Sequence, residues 1–254
     1  MRITIIGSGN VATHLAAAFK NAGHNIVQVY SRNMQHAALL AYHVKAEPVN
    51  NLDAINPHTD IFIISVNDDA IGMLAEKLAK YGRLIAHTSG ATSLQDLLIY
   101  TPEAGVFYPL QTFSKTRELD FRKVPLCIEG ATEEITGKLT ELAQTVSNYV
   151  YRVDSEQRKI LHLAAVFACN FPNYLYYAAG ELLQQHKLDF DMLRPLILET
   201  AEKVQEHLPA GVQTGPAIRN DTKTMAAHLQ LLSDNAGLQS LYRQLSQLII
   251  KMDK

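Results

Sequence analysis

The sequence of 254 residues predicts an α/β fold, with a doubly wound, mostly parallel sheet followed by an all-helical C-terminal domain. Up to about residue 153, short β-branched runs alternate with amphipathic helical stripes, as is typical of such a sheet. The run at 60–66 is apolar on both faces, as expected for a central strand covered by helices on each side. Beyond residue 153 only a helical spacing of Leu and Ala remains. We therefore expect two domains, residues 1–153 and residues 154–254.

The strands are predicted from short apolar runs. In chain order they are Arg2–Gly7, Asn25–Tyr30, Asp60–Val66, Leu84–His87, Gly105–Tyr108, Pro125–Ile128 and Tyr149–Val153. Amphipathic stripes between them predict three helices, covering Val11–Ala22, Ile71–Leu78 and Ile135–Val146. Gly23 stands where the first of these helices is expected to end.

The C-terminal part is predicted to be helical throughout. One helix begins at the capping residue Ser155 and runs into Pro172, which should kink or end it. The last helix carries an apolar stripe from Leu238 to Met252. An irregular polar loop, Pro209–Asp221, lies between these helices.

Composition excludes several classes of protein. The chain is 47% hydrophobic and 19% charged, so it can bury a core, and its net charge of −2 gives no basic excess for nucleic acid or an anionic membrane. Cys127 and Cys169 are isolated, which predicts free thiols in a reducing compartment, and the scattered histidines predict no metal site. Without an apolar stretch of spanning length or a signal-like start, we expect a soluble, cytoplasmic protein.

A glycine motif opens the chain. Gly7, Gly9 and Ala12 fit the pattern G-x-G-x-x-(G/A), directly after a predicted strand and at the start of a helix. In this pattern the first Gly permits a tight turn, the second lets the backbone approach a pyrophosphate, and the small third residue lets helix and strand pack closely. The helix N-terminus attracts phosphate. The sequence therefore predicts a dinucleotide site formed by Gly7, Ser8, Gly9, Asn10 and Val11.

The second strand ends on Ser31-Arg32-Asn33. At this point an NAD-binding protein normally has Asp or Glu, which accepts hydrogen bonds from the ribose 2′-hydroxyl. A hydroxyl and a guanidinium instead suit a 2′-phosphate. We therefore predict that the cofactor is NADP. The alternative is that Ser31 caps a helix and that Arg32 is merely solvated.

Three further stretches follow predicted strands, where ligands of open α/β sheets bind. Val66 and His87 are expected to contact the cofactor, and Ser89, Tyr108 and Gln111 to face the substrate. Each stretch has a structural alternative. Asp68 and Asp69, next to Val66, are typical helix caps, the loop after His87 is typical of a capped turn, and Tyr108 is also typical of a core aromatic residue.

The helical part contributes three more candidates. His162 and Asn170 are expected on one flank of the helix that begins at Ser155, and a histidine there suits proton donation. A hydrogen-bonded core histidine is the alternative. Arg219 is expected to hold a substrate carboxylate, or else to pair with Asp221.

The motifs together resemble a bacterial family of NADP oxidoreductases. They are IIGSGNVA, SVNDD, HTSGATSL, FYPLQTF, LHLAAVFACNF and TGPAIRND, and they cover nearly the whole chain. Proteins of that family have a Rossmann-like N-terminal domain and a helical C-terminal domain of unknown function. More distantly, the chain is similar to pyrroline-carboxylate reductase, ketopantoate reductase and prephenate dehydrogenase. The resemblance implies hydride transfer to a small molecule in the cleft between two domains, and a homodimer formed by the helical domain.

One position departs from the family pattern. The family usually carries His-Pro where this sequence has Tyr108-Pro109. A tyrosine, with an unperturbed pKa near 10, is chiefly a proton donor, which favours reduction or moves the acid–base role to His162. We expect Ser89 and Asn170 to orient a carbonyl or imine group. A non-catalytic NADP(H)-binding sensor is the alternative, because fold does not imply activity.

Overall fold

The structure, a computed structural model, describes residues 1–252. Its centre is a sheet of eight strands in the order β3-β2-β1-β4-β5-β6-β7-β8, parallel except for the antiparallel β6–β7 pair. The strands are β1 Arg2–Ile6, β2 Asn25–Tyr30, β3 Glu47–Val49, β4 Ile61–Ile64, β5 Leu84–His87, β6 Ala104–Pro109, β7 Leu126–Gly130 and β8 Val150–Arg152. The predicted mostly parallel sheet is confirmed.

Helices cover both faces of this sheet. From the first part of the chain these are α1 Asn10–Asn21, α2 Met34–Val44, α3 Ile71–Ala79, α4 Gln95–Leu98, α5 Glu133–Gln144 and α6 Ser155–Ala165. The later helices of the chain are α7 Phe171–Gln185, α8 Arg194–Glu206, α9 Thr222–Leu231 and α10 Ala236–Ile250. On one face, Phe19 of α1 and Leu139 of α5 belong to one apolar core. On the other, Leu74 of α3 belongs to a second core. All four residues of β4 are fully buried between the two, as its two-sided apolar pattern predicts.

The sequence did not reveal two elements of the first part. Strand β3 is only three residues long and contains Pro48, so it has no strand pattern, yet it pairs with β2 at the edge of the sheet. Helix α2 begins after Asn33, whose side chain accepts hydrogen bonds from the backbone N–H groups of Gln35 and His36.

The change of pattern near residue 153 matches the change from strand to helix. Strand β8 ends at Arg152 and α6 begins at Ser155. A π-helical turn, Val166–Asn170, then separates α6 from α7. Pro172 is the second residue of α7, directly after this turn. The regular α-helix that begins at Ser155 thus changes to a π-helical turn just before Pro172, where the sequence predicted a kink or an end.

The chain divides into two compact units, Met1–Asn170 and Phe171–Lys254. Helix α6 thus belongs to the first unit, because Arg158 on it is fully buried and pairs with Glu129 of β7. The predicted domain boundary at residue 153 places α6 in the second domain and stays a prediction. No helix within residues 1–252 is long and apolar enough to cross a bilayer.

Candidate functional site

A cavity of about 850 Å³ lies at the carboxyl ends of the parallel strands, entirely within the first compact unit. It sits where the strand order reverses, since the chain passes from β1 to β2 on one side and returns to β4 on the other. Thirteen of the sixteen predicted site residues line it: Gly7, Ser8, Gly9, Asn10, Val11, Ser31, Arg32, Asn33, Val66, Ser89, Tyr108, Gln111 and His162. We call it the glycine-loop cavity.

The two glycines of the motif differ in what they permit. Gly7 has a φ of +129°, and a Cβ there would lie 2.1 Å from the carbonyl oxygen of Ser65, so no other residue fits without displacing the backbone just after β4. A Cβ on Gly9 would meet nothing within 4 Å. It would project into open space, as expected of a position kept bare for close approach of a ligand.

The N-terminus of α1 is open toward an anion. Its N-cap is Gly9, with no side-chain hydrogen bond to the first turn, and no acidic residue lies in that turn. The first N–H groups of a helix have no partner within it, so they are available to a phosphate. A dinucleotide pyrophosphate therefore fits the residues present.

The loop after β6 braces this turn, which sequence reasoning missed. The Asn10 amide donates to the carbonyl oxygen of Phe113 at 2.9 Å, and the Lys115 ammonium donates to the carbonyl oxygen of Ser8 at 2.8 Å. Side chains that bond to backbone carbonyls leave no residue pattern, so no sequence signal predicts these contacts.

The segment after β2 lies against the glycine loop. The hydroxyl of Ser8 donates to the Ser31 hydroxyl oxygen at 3.0 Å. The cap of α2 is Asn33, so the alternative that Ser31 caps a helix is wrong. Arg32 lines the cavity and has no ion-pair partner among residues 1–252. With no acid after β2, the cavity has a free guanidinium where a 2′-phosphate would lie.

The turn after β5 is both capped and part of the site. The Ser89 hydroxyl oxygen accepts hydrogen bonds from the N–H groups of Ala91 and Thr92, so the capped-turn interpretation is correct. Ser89 also lines the cavity, and its hydroxyl hydrogen remains available to a ligand. The two interpretations are compatible.

Tyr108 and His162 meet at the cavity wall. The Tyr108 hydroxyl oxygen lies 3.1 Å from Nδ1 of His162, and the rings pack edge to face. Tyr108 comes from the end of β6 and His162 from α6, so the contact joins strands and helix. Gly90 lies against both rings, since a Cβ there would be 2.8 Å from His162 and 2.9 Å from Tyr108. This pair is the one place where two predicted proton donors touch.

Burial controls the protonation of Tyr108. Burial, reinforced by the nearby Cys127 thiol, raises its pKa to about 12, although the Arg158 cation opposes the rise. The phenol is therefore protonated at neutral pH and acts as a donor rather than a base.

Three predicted site residues do not line the cavity. His87 is fully buried in β5, where Nδ1 accepts a hydrogen bond from the N–H of Ser89, and burial lowers its pKa to about 3. The structure therefore places its side chain in the interior, and its cofactor contact stays a prediction. Asn170 is exposed at the end of the π-helical turn. Arg219 lies in the second compact unit, where Asp221 caps α9 through Thr224 instead of forming an ion pair with it.

Several lining residues were not predicted. They include Tyr30, His36 and Met73. His36 lies in the first turn of α2, four residues after Arg32, and it was not predicted because helix α2 was not predicted. Gly90 has an ordinary φ, so only the packing of the two rings reveals why glycine stands there.

Two family models match the chain. Residues 2–88 match the family described as "NADP oxidoreductase coenzyme F420-dependent", and residues 124–249 match a domain of unknown function, DUF2520. No curated protein matches.

The chain is similar to several solved structures. One is BF3122 from Bacteroides fragilis, described as a "putative NADP oxidoreductase", with 46% identity, 98% of each chain covered and a TM-score of 0.93. Another is an imine reductase from Myxococcus stipitatus in complex with NADP+, with 16% identity and a TM-score of 0.66; the match covers 99% of this chain and 92% of the imine reductase chain. A third is a pyrroline-5-carboxylate reductase from Coxiella burnetii, with 17% identity and a TM-score of 0.60; the match covers 98% of this chain and 96% of the reductase chain. The latter two show the fold alone. At its level of identity to BF3122, the chain belongs to the same family of NADP oxidoreductases.

Proposed function

We propose that this protein is an NADPH-dependent reductase that transfers a hydride to a small carbonyl or imine compound bearing a carboxylate. The observation that carries the proposal is the Tyr108–His162 pair in the wall of the glycine-loop cavity. Such a reduction needs a bound hydride donor and a proton donor, and this cavity combines a dinucleotide-binding loop with a proton-donating pair. The folds shared with an imine reductase and a pyrroline-5-carboxylate reductase support this substrate class.

The cofactor is held by groups at one end of the cavity. The N–H groups of Asn10 and Val11 bind the pyrophosphate, and Gly9 leaves the space for it. Ser31 and Arg32 bind the 2′-phosphate through charge-assisted hydrogen bonds. NADPH supplies the hydride when bound.

The proton comes from the pair at the other end. Because Tyr108 remains protonated at neutral pH, its hydroxyl donates to the substrate oxygen or nitrogen as charge develops there. His162, at 3.1 Å, then returns a proton to Tyr108, or donates directly. Protonated Tyr108 is a poor base, so this arrangement favours reduction over oxidation.

Neighbouring side chains orient the substrate. The Ser89 hydroxyl donates to no acceptor among residues 1–252, so its hydrogen is available to a substrate, and Gln111 also lines the cavity. The predicted roles of Asn170 in orientation and Arg219 in holding a carboxylate remain part of the proposal, as does a substrate position between two domains.

A panel of 2-keto acids and carboxylated cyclic imines tests the proposal, with NADPH oxidation followed by absorbance. We expect turnover with at least one member. Tyr108→Phe or His162→Gln should lower kcat by about 100-fold or more and leave the Kd for NADPH unchanged. Tyr42→Phe, on an exposed tyrosine of α2, is the matched control and should behave as wild type. Tight NADPH binding with no turnover of any member would contradict the reductase and favour the sensor.

We also propose that the protein is a homodimer formed by its second compact unit. Among the described residues of that unit, only Ala178 and Ala217 are buried apolar residues. Large apolar side chains of its helices are exposed, among them Tyr174, Leu175, Leu196, Leu198, Leu245 and Leu248. A helical unit needs apolar surface buried to be stable, and a second copy supplies a surface of the same kind.

Light scattering of the eluting protein tests the dimer. Wild type should elute at twice the mass of one chain. Leu248→Arg, at a position 61% exposed on α10, should yield monomers, whereas Tyr42→Arg, on α2 in the first unit, should remain dimeric. A monomeric wild-type protein would contradict this assignment.

A further inference from the structure

A buried cation lies beside the site but does not line the glycine-loop cavity. Arg158 of α6 has a fully buried side chain, and its guanidinium pairs with the Glu129 carboxylate of β7. It also donates to the carbonyl oxygen of Thr92 at 2.6 Å and to the Ser155 hydroxyl oxygen at 3.2 Å. A charge is costly to bury unless it is paired and hydrogen-bonded, so this position calls for a specific role.

The bonds of Arg158 join the segments that build the proton-donating pair. Glu129 lies opposite Val106 in the β6–β7 ladder, two residues before Tyr108. Thr92 lies two residues after Gly90, and His162 follows Arg158 by one turn of α6. Ser155 reinforces the junction, since its hydroxyl donates to Glu129 and accepts from the N–H of Leu94 at 2.9 Å.

The place where these segments meet has little spare room. A Cβ on Gly90 would approach both rings of the pair to less than 3 Å. A small shift of α6 relative to the β5 loop would therefore either press His162 onto Gly90 or draw it away from Tyr108. The hydrogen bond of 3.1 Å needs a fixed distance between these segments.

We propose that Arg158 is a positioning residue, whose bonds to Glu129 and Thr92 hold α6 against β7 and the β5 loop so that His162 and Tyr108 remain hydrogen-bonded. The planar fork of a guanidinium suits this task, because it fixes two directions at once, which an ammonium cannot do. The catalytic meaning of the contact rests on the proposed function. Its geometry does not.

The positive charge of Arg158 also favours proton donation by Tyr108. It lowers the pKa of Tyr108, against the rise caused by burial and by Cys127, and thus favours release of the phenol proton. Its partner Glu129 compensates the charge within the protein. His162 also faces Tyr108, in direct contact.

The test uses NMR of the full chain to follow the imidazole signal of His162. The variant His162→Gln assigns this signal, because it lacks the imidazole, and Tyr108→Phe gives the position of the signal when the hydrogen bond is absent. In Arg158→Met we expect the signal to move to its position in Tyr108→Phe, and in Arg158→Lys to move part of the way. Leu142→Ala, on α5 in the apolar core of the opposite face of the sheet, is the control for general destabilisation and should leave the signal in place. A wild-type signal in Arg158→Met, or in Arg158→Lys should the first variant not fold, would overturn the proposal.

Kinetics supply a second readout on any substrate found by the panel. A misplacement of about 1 Å costs on the order of 100-fold in rate, so Arg158→Met should lower kcat by about this factor. The KM for NADPH should stay unchanged, because the cofactor end is formed by other residues. Equal losses in kcat and NADPH affinity would indicate general structural damage and contradict positioning. Absence of turnover in wild type would defeat the proposed function while the NMR result still decides this inference.

Discussion

Replacing Gly90 by alanine tests the site at its most crowded point. The added Cβ would lie 2.8 Å from Cγ and Nδ1 of His162 and 2.9 Å from Cζ of Tyr108. Ordinary contacts begin at 3.4 Å, so the His162 ring must move by about 0.6 Å. A ring displacement of that size would lengthen or misalign the hydrogen bond of 3.1 Å between Tyr108 and His162.

Two magnitudes follow from this displacement. Overpacking a filled site costs about 1–3 kcal/mol in free energy of unfolding, so Gly90→Ala should remain folded with reduced stability. Since a misplacement near 1 Å costs on the order of 100-fold in rate, kcat should fall by about that factor. The Kd for NADPH should change much less, because the glycine loop and Arg32 are untouched.

The assay combines chemical denaturation with NADPH oxidation on a substrate from the panel. Gly137→Ala is the matched control, because Gly137 lies within α5 and a Cβ there meets nothing within 4 Å. It should gain about 0.5–1 kcal/mol in stability and keep full activity. If Gly90→Ala retained both wild-type kcat and the wild-type NMR signal of His162, the reasoning about this contact would be refuted.

The remaining predictions concern the cofactor loop and the buried histidine. Gly9→Ala should fold with wild-type stability but lose NADPH binding. Gly7→Ala should lose NADPH binding and also about 2–4 kcal/mol in free energy of unfolding, because its Cβ would meet the Ser65 carbonyl oxygen at 2.1 Å. Equal stability of the two variants in chemical denaturation would contradict this. The pKa of His87 falls from 6.5 in the unfolded chain to about 3 in the folded protein, so between these pH values the unfolded chain binds one more proton. The free energy of unfolding should therefore decrease as pH falls below about 6.5, by at most about 1.4 kcal/mol per pH unit. His87→Asn, which keeps an acceptor for Ser89, should flatten that slope in denaturation at pH 4–6, and an unchanged slope would exclude His87 as its source.

Much of the fold could be predicted because local patterns and tertiary structure agree. The strand at Asn25–Tyr30 and the strand at Leu84–His87 have the predicted bounds. The glycine motif lies at the strand-to-helix turn that it requires. By contrast, β3 is stabilised by its pairing with β2 and has no pattern of its own, so only the assembled sheet reveals it.

In the candidate site, too, some residues could be predicted from local patterns and others depend on tertiary packing. Residues that follow strands could be placed, because the carboxyl ends of parallel strands share one edge of the sheet. The sequence could not decide whether a strand-end residue such as His87 faces the cavity or the interior. Nor could it predict that Arg158 is buried against Glu129, since ion pairs between distant segments leave no local signal.

The central claim is that the glycine-loop cavity binds NADPH and that Arg32 recognises its 2′-phosphate. Fluorescence titration with NADPH and NADH, for wild type and Arg32→Gln, measures this directly. Hydrogen bonds to charged groups contribute about 1.5–3 kcal/mol, so wild type should prefer NADPH by roughly 10- to 100-fold. Arg32→Gln should lose that preference while its affinity for NADH stays the same. Equal affinity of the wild-type protein for the two cofactors would contradict the account.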